Sequence, residues 1–332
     1  MNFHGTASRM GSVKVKPSIN GPLSENAWGG DNMNVYVDIL LLLLTIIYSY
    51  LEAFVKLFIP VKRKSVNGEI VLITGAGHGI GKITALKFAQ LESVLVLWDI
   101  NKSGLEQTAK ECRDIGTKVY TYVVDCSKRE AINAAADKVK QEVGDVNILI
   151  NNAGIVFCAD VLTLQDSQIE KIFEVNILAH FWTTRAFLPS MISNNHGHIV
   201  TVASSAGLVG VPYLVDYCST KFAAVGYHKA LTAELDAIQK SEIKTTCLCP
   251  VFVNTGFVQN ASTRFSPNLE PEDVASKLVD GILTNKKMVL IPPVVSFTPV
   301  LEFYLPERAL KALNKFSDIK FDAKVQCYDK NK

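Results

Sequence analysis

Residues 70–81 read IVLITGAGHGIG: a short β-rich run, then glycines at 75, 77, 79 and 81. The Val and Ile of the run are apolar on both faces, as in a strand inside a parallel sheet. Glycine tolerates positive φ and lets the backbone approach a bound group closely. A segment of helical period, KITALKFAQ, follows at once. A strand, a glycine turn and a helix in this order aim free N–H groups at a pyrophosphate. The glycines alone carry little weight, but their place at the opening of a βαβ unit carries much. Gly75, Gly79, Ile80 and Gly81 are therefore candidate cofactor contacts.

Outward from this turn, similar runs recur: SVLVLWD (93–99), KVYTYVVD (118–125), VNILINNAG (146–154), HIVTVAS (198–204), IKTTCLC (243–249) and MVLIP (288–292). Segments of helical period separate them. This alternation predicts an α/β fold over residues 69–292, a doubly wound and mainly seven-stranded parallel sheet. With 48% hydrophobic residues and 20% charged ones, the chain can bury a large core. A net charge of +2 without a dense basic patch gives no reason to expect a nucleic-acid partner.

The strand ends carry the polar residues. Asp99 closes the second run, 24 residues after Gly75. A carboxylate there accepts hydrogen bonds from an adenosine ribose and repels a 2′-phosphate, which selects NAD over NADP. Asp125, closing the third run, is placed to bind the adenine amino group. Asn152, in the Asn-Asn-Ala-Gly that closes the fourth, is expected to tie the sheet together and line the cofactor cleft.

Ser204 ends the fifth run, Tyr217 follows 13 residues later, and Lys221 follows four after that. On a helix, Tyr217 and Lys221 share a face. An ammonium nearby favours the phenolate and is expected to lower the tyrosine pKa. Tyr217 then acts as base toward an alcohol or as acid toward a carbonyl. Ser204 stabilises the charge developing on the substrate oxygen. Asn176, in the expected helix EVNILAHF, is the candidate holder of a proton-relay water near Lys221. The seven cysteines are odd in number and lack a C-x-x-C pair. They read as free thiols of a reducing compartment, and Cys247 and Cys249 as core residues on one strand face, not metal ligands.

The flanks differ from the centre. Residues 1–33 show no period and read as disordered. Residues 34–60 contain ILLLLLTIIYSYL (39–51), uncharged throughout, and read as a membrane or lipid-surface anchor. Lys62, Arg63 and Lys64 make residues 61–68 a basic linker, which favours a cytoplasmic domain. Residues 293–332 form an apolar and amphipathic extension. VLIPPVVSFTPVLEFYLP (289–306) reads equally as packing on the last strand and as a functional segment that walls a lipid pocket or dips into a membrane.

Taken together, TGAGHGIG, NNAG, Ser204, YCSTK and the order of the runs resemble the short-chain dehydrogenase/reductase superfamily over roughly residues 66–290. Within it, DILLLLLTIIYSYLEAFVKLFIP, VLWDIN, FEVNILAHFW and CLCPVFVNTGF resemble the 17β-hydroxysteroid dehydrogenases of types 11 and 13. More broadly they resemble the membrane-bound retinol dehydrogenases. The resemblance implies a Rossmann-type fold and an NAD-dependent oxidation of a steroid, retinol or related lipid alcohol, reversible as carbonyl reduction. It implies that Lys221 also holds the nicotinamide ribose and that Thr255 contacts the nicotinamide amide. It further implies endoplasmic reticulum or lipid-droplet association, and a homodimer paired through the helices carrying Asn176 and Tyr217. Pro250-Val251 departs from the usual Pro-Gly and leaves the following loop less defined. Two alternatives stand beside this reading: an NADP-dependent carbonyl reductase, which Asp99 opposes, and a lipid-droplet scaffold with secondary catalysis, which the complete Ser-Tyr-Lys set opposes.

Overall fold

The computed structural model describes residues 35–56, 58–59, 61–264 and 267–325. The expectation for residues 1–33, and Cys327, lie outside the described residues. Two units are distinguished. One holds the N-terminal helix and Ala233–Lys240; the other spans Lys62–Thr232 and Ser241–Lys332 and holds the sheet.

In the first unit, helix α1 runs from Val35 to Lys56, 22 residues. At 1.5 Å per residue that is about 33 Å, the thickness of a bilayer core. Val35–Val55 is long and apolar enough to cross a membrane, and none of its apolar window is buried.

The second unit is built on seven parallel strands: β1 (Ile70–Thr74), β2 (Val94–Asp99), β3 (Val119–Val123), β4 (Ile148–Asn151), β5 (Gly197–Val202), β6 (Ile243–Pro250) and β7 (Met288–Ile291). Their order is β3-β2-β1-β4-β5-β6-β7. All seven expected strands are present. The order reverses between β1 and β4, the place where doubly wound sheets open a crevice at their carboxyl ends. The helices α2 (Gly79–Gln90), α3 (Lys102–Asp114), α4 (Arg129–Glu142), α5 (Asp166–Phe173), α6 (Ala179–Asn194), α7 (Val215–Ala237) and α8 (Pro271–Leu283) connect them. Val71, Ile73, Leu95 and Leu97 join Phe88 of α2, Leu105 of α3 and Leu278 of α8 in one core. Leu72 and Val96, alternating to the opposite face, are fully buried too. Cys247 and Cys249 share a face of β6 with their Sγ atoms 3.8 Å apart, both at zero exposure.

Two details depart from expectation. The segment around Asn176 is not regular α-helix: Glu174–Leu178 is a π-helical turn between α5 and α6. Such single turns insert one residue and re-aim the side chains around it. The basic stretch at 61–68 is also not a loose linker. The Arg63 guanidinium donates to Asp280 Oδ1 at 2.7 Å, and the Lys64 N–H donates to the Leu283 carbonyl at 2.8 Å. Lys64 Nζ lies 2.8 Å from His198 Nδ1, and Val66 is buried. Two of the three cations of this stretch are thus paired within the sheet unit.

Candidate active site

The glycine turn is shaped by backbone demands. Gly75 and Gly79 have φ of +68° and +53°, a region that side chains disfavour. At Gly81 a Cβ would stand 2.1 Å from the Gly75 carbonyl oxygen, so no side chain fits. Helix α2 starts at Gly79 and leaves its first N–H groups facing the turn. Asn152 fastens β4 to this loop. Its Nδ2 donates to the carbonyls of Thr74 at 2.9 Å and Gly75 at 3.0 Å. The Asn152 and Ala153 N–H groups both donate to Thr74 Oγ1 at 3.0 Å. Asp99 Oδ2 accepts from the Gly77 N–H and Oδ1 from the Asn101 N–H, each at 2.8 Å. The carboxylate that was expected to read a ribose therefore also holds the turn. Thr255 lies over the same loop, its Cγ2 only 3.1 Å from where a Gly79 Cβ would be.

Asp125 is placed differently. Its Oδ1 accepts from Ser127 Oγ at 2.7 Å, and Lys171 Nζ lies 3.1 Å from Oδ2. Burial alone would raise its pKa, but these bonds outweigh burial and lower it. The carboxylate is tied to α5 and does not line the cavity described below.

Ser204 follows β5 and caps a 3₁₀ turn, accepting from the Ala206 N–H at 3.1 Å and donating to the Pro250 carbonyl at 3.4 Å. Tyr217 and Lys221 lie on α7, with Lys221 Nζ 5.5 Å from the centre of the Tyr217 ring. Lys221 is 3% exposed and donates to the Val202 carbonyl at 3.0 Å. Burial pushes its pKa down to about 8. Burial also raises the Tyr217 pKa, against the opposing effect of a hydrogen bond with Ser204. The expected lowering by Lys221 is absent from the protein alone, because desolvation of the phenol dominates. Asn176 Oδ1 accepts from the Ile155 N–H at 2.8 Å, while its Nδ2 donates to the Ile155 carbonyl at 2.9 Å and Thr220 Oγ1 at 3.1 Å. Both amide protons of Asn176 are committed within the protein.

One cavity of about 1000 Å³ joins Gly75, Gly79, Ile80, Asp99, Asn152 and Thr255 to Ser204, Tyr217 and Lys221. Gly81 and Asn176 support its wall from behind and do not line it. The remaining lining is largely apolar and includes Val209, Leu214 and Phe257. Beyond β7, helices α9 (Thr298–Tyr304) and α10 (Glu307–Ser317) close it with Leu301, Leu310 and Leu313. Residues of the extension thus line the cavity. The individual wall residues carried no sequence signal beyond their apolarity, since which of them face inward depends on how α9 and α10 fold back.

The glycine cradle fits a pyrophosphate: Gly75 and Gly81 leave no room for side chains, helix N–H groups face the loop, and Asp99 stands at its rim. Residues 69–265 match the family described as short chain dehydrogenase. The chain is 62% identical to the human protein named estradiol 17-beta-dehydrogenase 11 over 293 residues, 88% of this chain and 98% of that one. It is 60% identical to human 17-beta-hydroxysteroid dehydrogenase 13 over the same shares. Among solved structures it is similar to a short chain dehydrogenase/reductase from Burkholderia phymatum in complex with NAD. There the TM-score is 0.67 at 28% identity, covering 75% of this chain and 96% of the other. A metagenomic short-chain oxidoreductase in complex with NADP matches with TM-score 0.59 at 27% identity, covering 68% and 98%. With the fold, the cradle and these likenesses in agreement, the chain belongs to the short-chain dehydrogenase/reductase family and is an oxidoreductase that uses a nicotinamide cofactor.

Proposed function

We propose that the protein oxidises a hydroxyl group on a lipophilic substrate, a steroid, retinol or related lipid alcohol, with NAD. The observation that carries this reading is the shared cavity, in which Ser204, Tyr217 and Lys221 meet the glycine cradle on one side and apolar walls on the other. Its size suits a cofactor and a lipid together better than a small polar alcohol. The relatives named for estradiol and 17-beta-hydroxysteroids favour a steroid alcohol.

In this reading the cradle from Gly75 to Gly81 holds the pyrophosphate and Asp99 the adenosine ribose. Thr255 and Lys221 hold the nicotinamide end. When bound, the nicotinamide supplies the hydride acceptor. Ser204 orients the substrate hydroxyl and stabilises the charge on its oxygen. Lys221 favours the phenolate form of Tyr217, which takes the hydroxyl proton and becomes the phenol. Burial that raises the Tyr217 pKa makes this ammonium necessary. In the reverse direction Tyr217 returns the proton to a carbonyl oxygen. The test is NADH production by purified protein in detergent with steroid, retinoid and fatty alcohols. Turnover of none of these by protein that binds NAD would favour the scaffold alternative.

Asp99 selects NAD in this reading. Asp99→Ala is expected to narrow the preference for NAD over NADP by about tenfold or more, roughly one lost charge interaction. It should also weaken both cofactors somewhat, because the Gly77 N–H loses its partner. Steady-state KM values for the two cofactors check this, and an unchanged ratio removes Asp99 from the selection.

The apolar α1 supports anchoring to a lipid surface, which the family resemblance implies is that of the endoplasmic reticulum and lipid droplets, and the basic residues after it favour the cytoplasmic side for the catalytic domain. Deleting residues 34–60 is expected to move the protein to the soluble fraction on membrane flotation. Retained flotation would assign anchoring to the C-terminal extension, where Phe303 and Tyr304 are 81% and 77% exposed. Exposed Leu178, Phe181 and Phe222, at the π turn and on α6 and α7, support pairing of two copies.

A further inference from the structure

Helix α10 ends where Asp318 takes a left-handed conformation, with φ at +47°. The chain then runs back as a strap, from Ile319 to Lys324, that bonds to two loops far apart in the sequence. Toward the loop after β6, the Ser317 carbonyl accepts from the Arg264 N–H at 2.9 Å and from Thr263 Oγ1 at 3.0 Å. The Ser262 N–H donates to the Lys320 carbonyl at 2.8 Å, and the Lys320 N–H donates back to the Ser262 carbonyl at 2.9 Å. The Asp322 N–H donates to the Gln259 carbonyl at 3.1 Å, and Asp322 Oδ2 accepts from Asn260 Nδ2 at 2.7 Å. Toward the loop after β4, the Lys324 N–H donates to the Cys158 carbonyl at 2.8 Å, and the Lys324 carbonyl accepts from the Asp160 N–H at 3.0 Å. Lys320, Asp322 and Lys324 are exposed, whereas Phe321 and Ala323 between them are half-buried, the alternation of a strand.

The loop after β6 needs such support. Residues 251–270 carry no helix or regular strand among the described residues, yet Phe252, Phe257, Val258 and Thr263 line the cavity. An irregular segment with few bonds of its own opens readily unless other segments hold it. The strap supplies the missing bonds and adds two side chains. Ile319 lines the cavity itself. Phe321 stands against Phe252, with ring centroids 6.2 Å apart and planes tilted by 50°. It also packs on the cluster of Ala206, Leu214 and Cys218, against which the Tyr217 ring rests as well. These contacts all lie on the apolar side of the cavity, away from the glycine turn between β1 and α2.

We propose that Phe321 is a positioning residue for the alcohol: the strap carries it behind Phe252, where it holds the loop after β6 in the cavity wall and so sets how tightly the alcohol binds. The proposal rests on the reading above, in which the alcohol occupies the apolar part of the cavity. Phe321 acts through Phe252 and the loop, and the cofactor half of the site is independent of it.

The test uses purified full-length protein in detergent, with NAD and with a steroid alcohol and a long-chain fatty alcohol as probes. A readout free of turnover is trypsin cleavage after Arg264, whose N–H is bonded to the end of α10. In Phe321→Ala this cleavage should be about tenfold faster, since proteolysis follows the population of the open loop. Cleavage after Arg113, on α3, should not change and controls for global unfolding. KM for the alcohol should rise about tenfold, the low end of what an altered contact in an apolar pocket costs, with a smaller change in kcat. NAD affinity should stay as in the wild type. Phe321→Leu keeps an apolar side chain at the site and is expected to recover most of the alcohol KM.

A folded Phe321→Ala with wild-type cleavage after Arg264 and wild-type KM overturns the proposal. Faster cleavage with an unchanged KM overturns it too, because the loop would then be held without affecting the alcohol. A loss of NAD affinity alongside the rise in KM means that Phe321 supports the whole unit, and this also overturns it. Should Phe321→Ala not fold, Asp322→Ala removes the exposed bond from Asn260 and decides by the same readouts. Turnover of neither alcohol by the wild type, or turnover that survives Tyr217→Phe, sinks the underlying reading. Turnover lost in Tyr217→Phe, with KM and cleavage untouched in Phe321→Ala, sinks this inference alone.

Discussion

Tyr217→Phe should lower the turnover of the alcohol by about 10²- to 10⁴-fold while leaving NAD affinity nearly unchanged. The substitution removes one hydroxyl. It keeps the ring that packs 6.1 Å from Phe257 and 5.5 Å from Lys221 Nζ. The fold and the cradle from Gly75 to Gly81 are untouched. What is lost is the hydroxyl proposed to take the substrate proton while Ser204 holds the substrate oxygen. NADH formation and NAD titration, measured on the same preparation, separate the two effects. Near-wild-type turnover would mean that another group takes the proton.

Lys221→Met is expected to lower activity and raise stability together. Lys221 is 3% exposed, and its burial favours the neutral amine. Burial lets the folded protein give up that proton near pH 8, whereas the unfolded chain keeps it to the ordinary lysine value of 10.5. Across that window the unfolded chain binds more protons, so stability rises with pH from about 8 to 10.5. Below pH 8 the full penalty is present, of the order of 3 kcal/mol. Methionine removes it, and loss of the bond to the Val202 carbonyl takes back about 1 kcal/mol. The net gain at pH 7, without cofactor, is about 2 kcal/mol. Turnover should fall about 10²-fold or more, because the Tyr217 phenolate loses its nearest cation. Thermal unfolding from pH 6 to 10.5 checks the first claim. In the variant the rise between pH 8 and 10.5 should shrink without vanishing, since burial also lowers Lys64 to about 8. A variant less stable than wild type at pH 7 would show that the hydrogen bond outweighs desolvation.

The opposite signs of these effects explain why the site is legible in a sequence. Lys221 is costly to bury and Gly81 is strained to replace, so neither is what packing alone would select. Sequence patterns record such residues because their spacing is local. Gly75 to Gly81 lie on one turn, and Tyr217 and Lys221 on one helical face. The strands were equally legible, since a run such as IVLIT is apolar on both sides only where helices cover both faces of the sheet.

Tertiary structure alone decided the rest. It turned Asp125 toward Lys171 and Ser127, as no reading of a strand end could foresee, because Lys171 arrives from α5, 46 residues on. It converted the Asn176 segment into a π turn and committed its amide to Ile155 and Thr220. It brought the basic stretch at 61–68 under the sheet, where Arg63 meets Asp280 and Lys64 meets His198. It folded α9 and α10 back to wall the cavity with Leu301, Leu310 and Leu313. It buried Tyr217 deeply enough to raise a pKa that proximity to Lys221 was expected to lower. Each depends on contacts between residues far apart in the chain. Periodicity and local spacing fix which face of an element is apolar and which side chains share it. What that face meets, and how much water is excluded there, is set when the elements pack together.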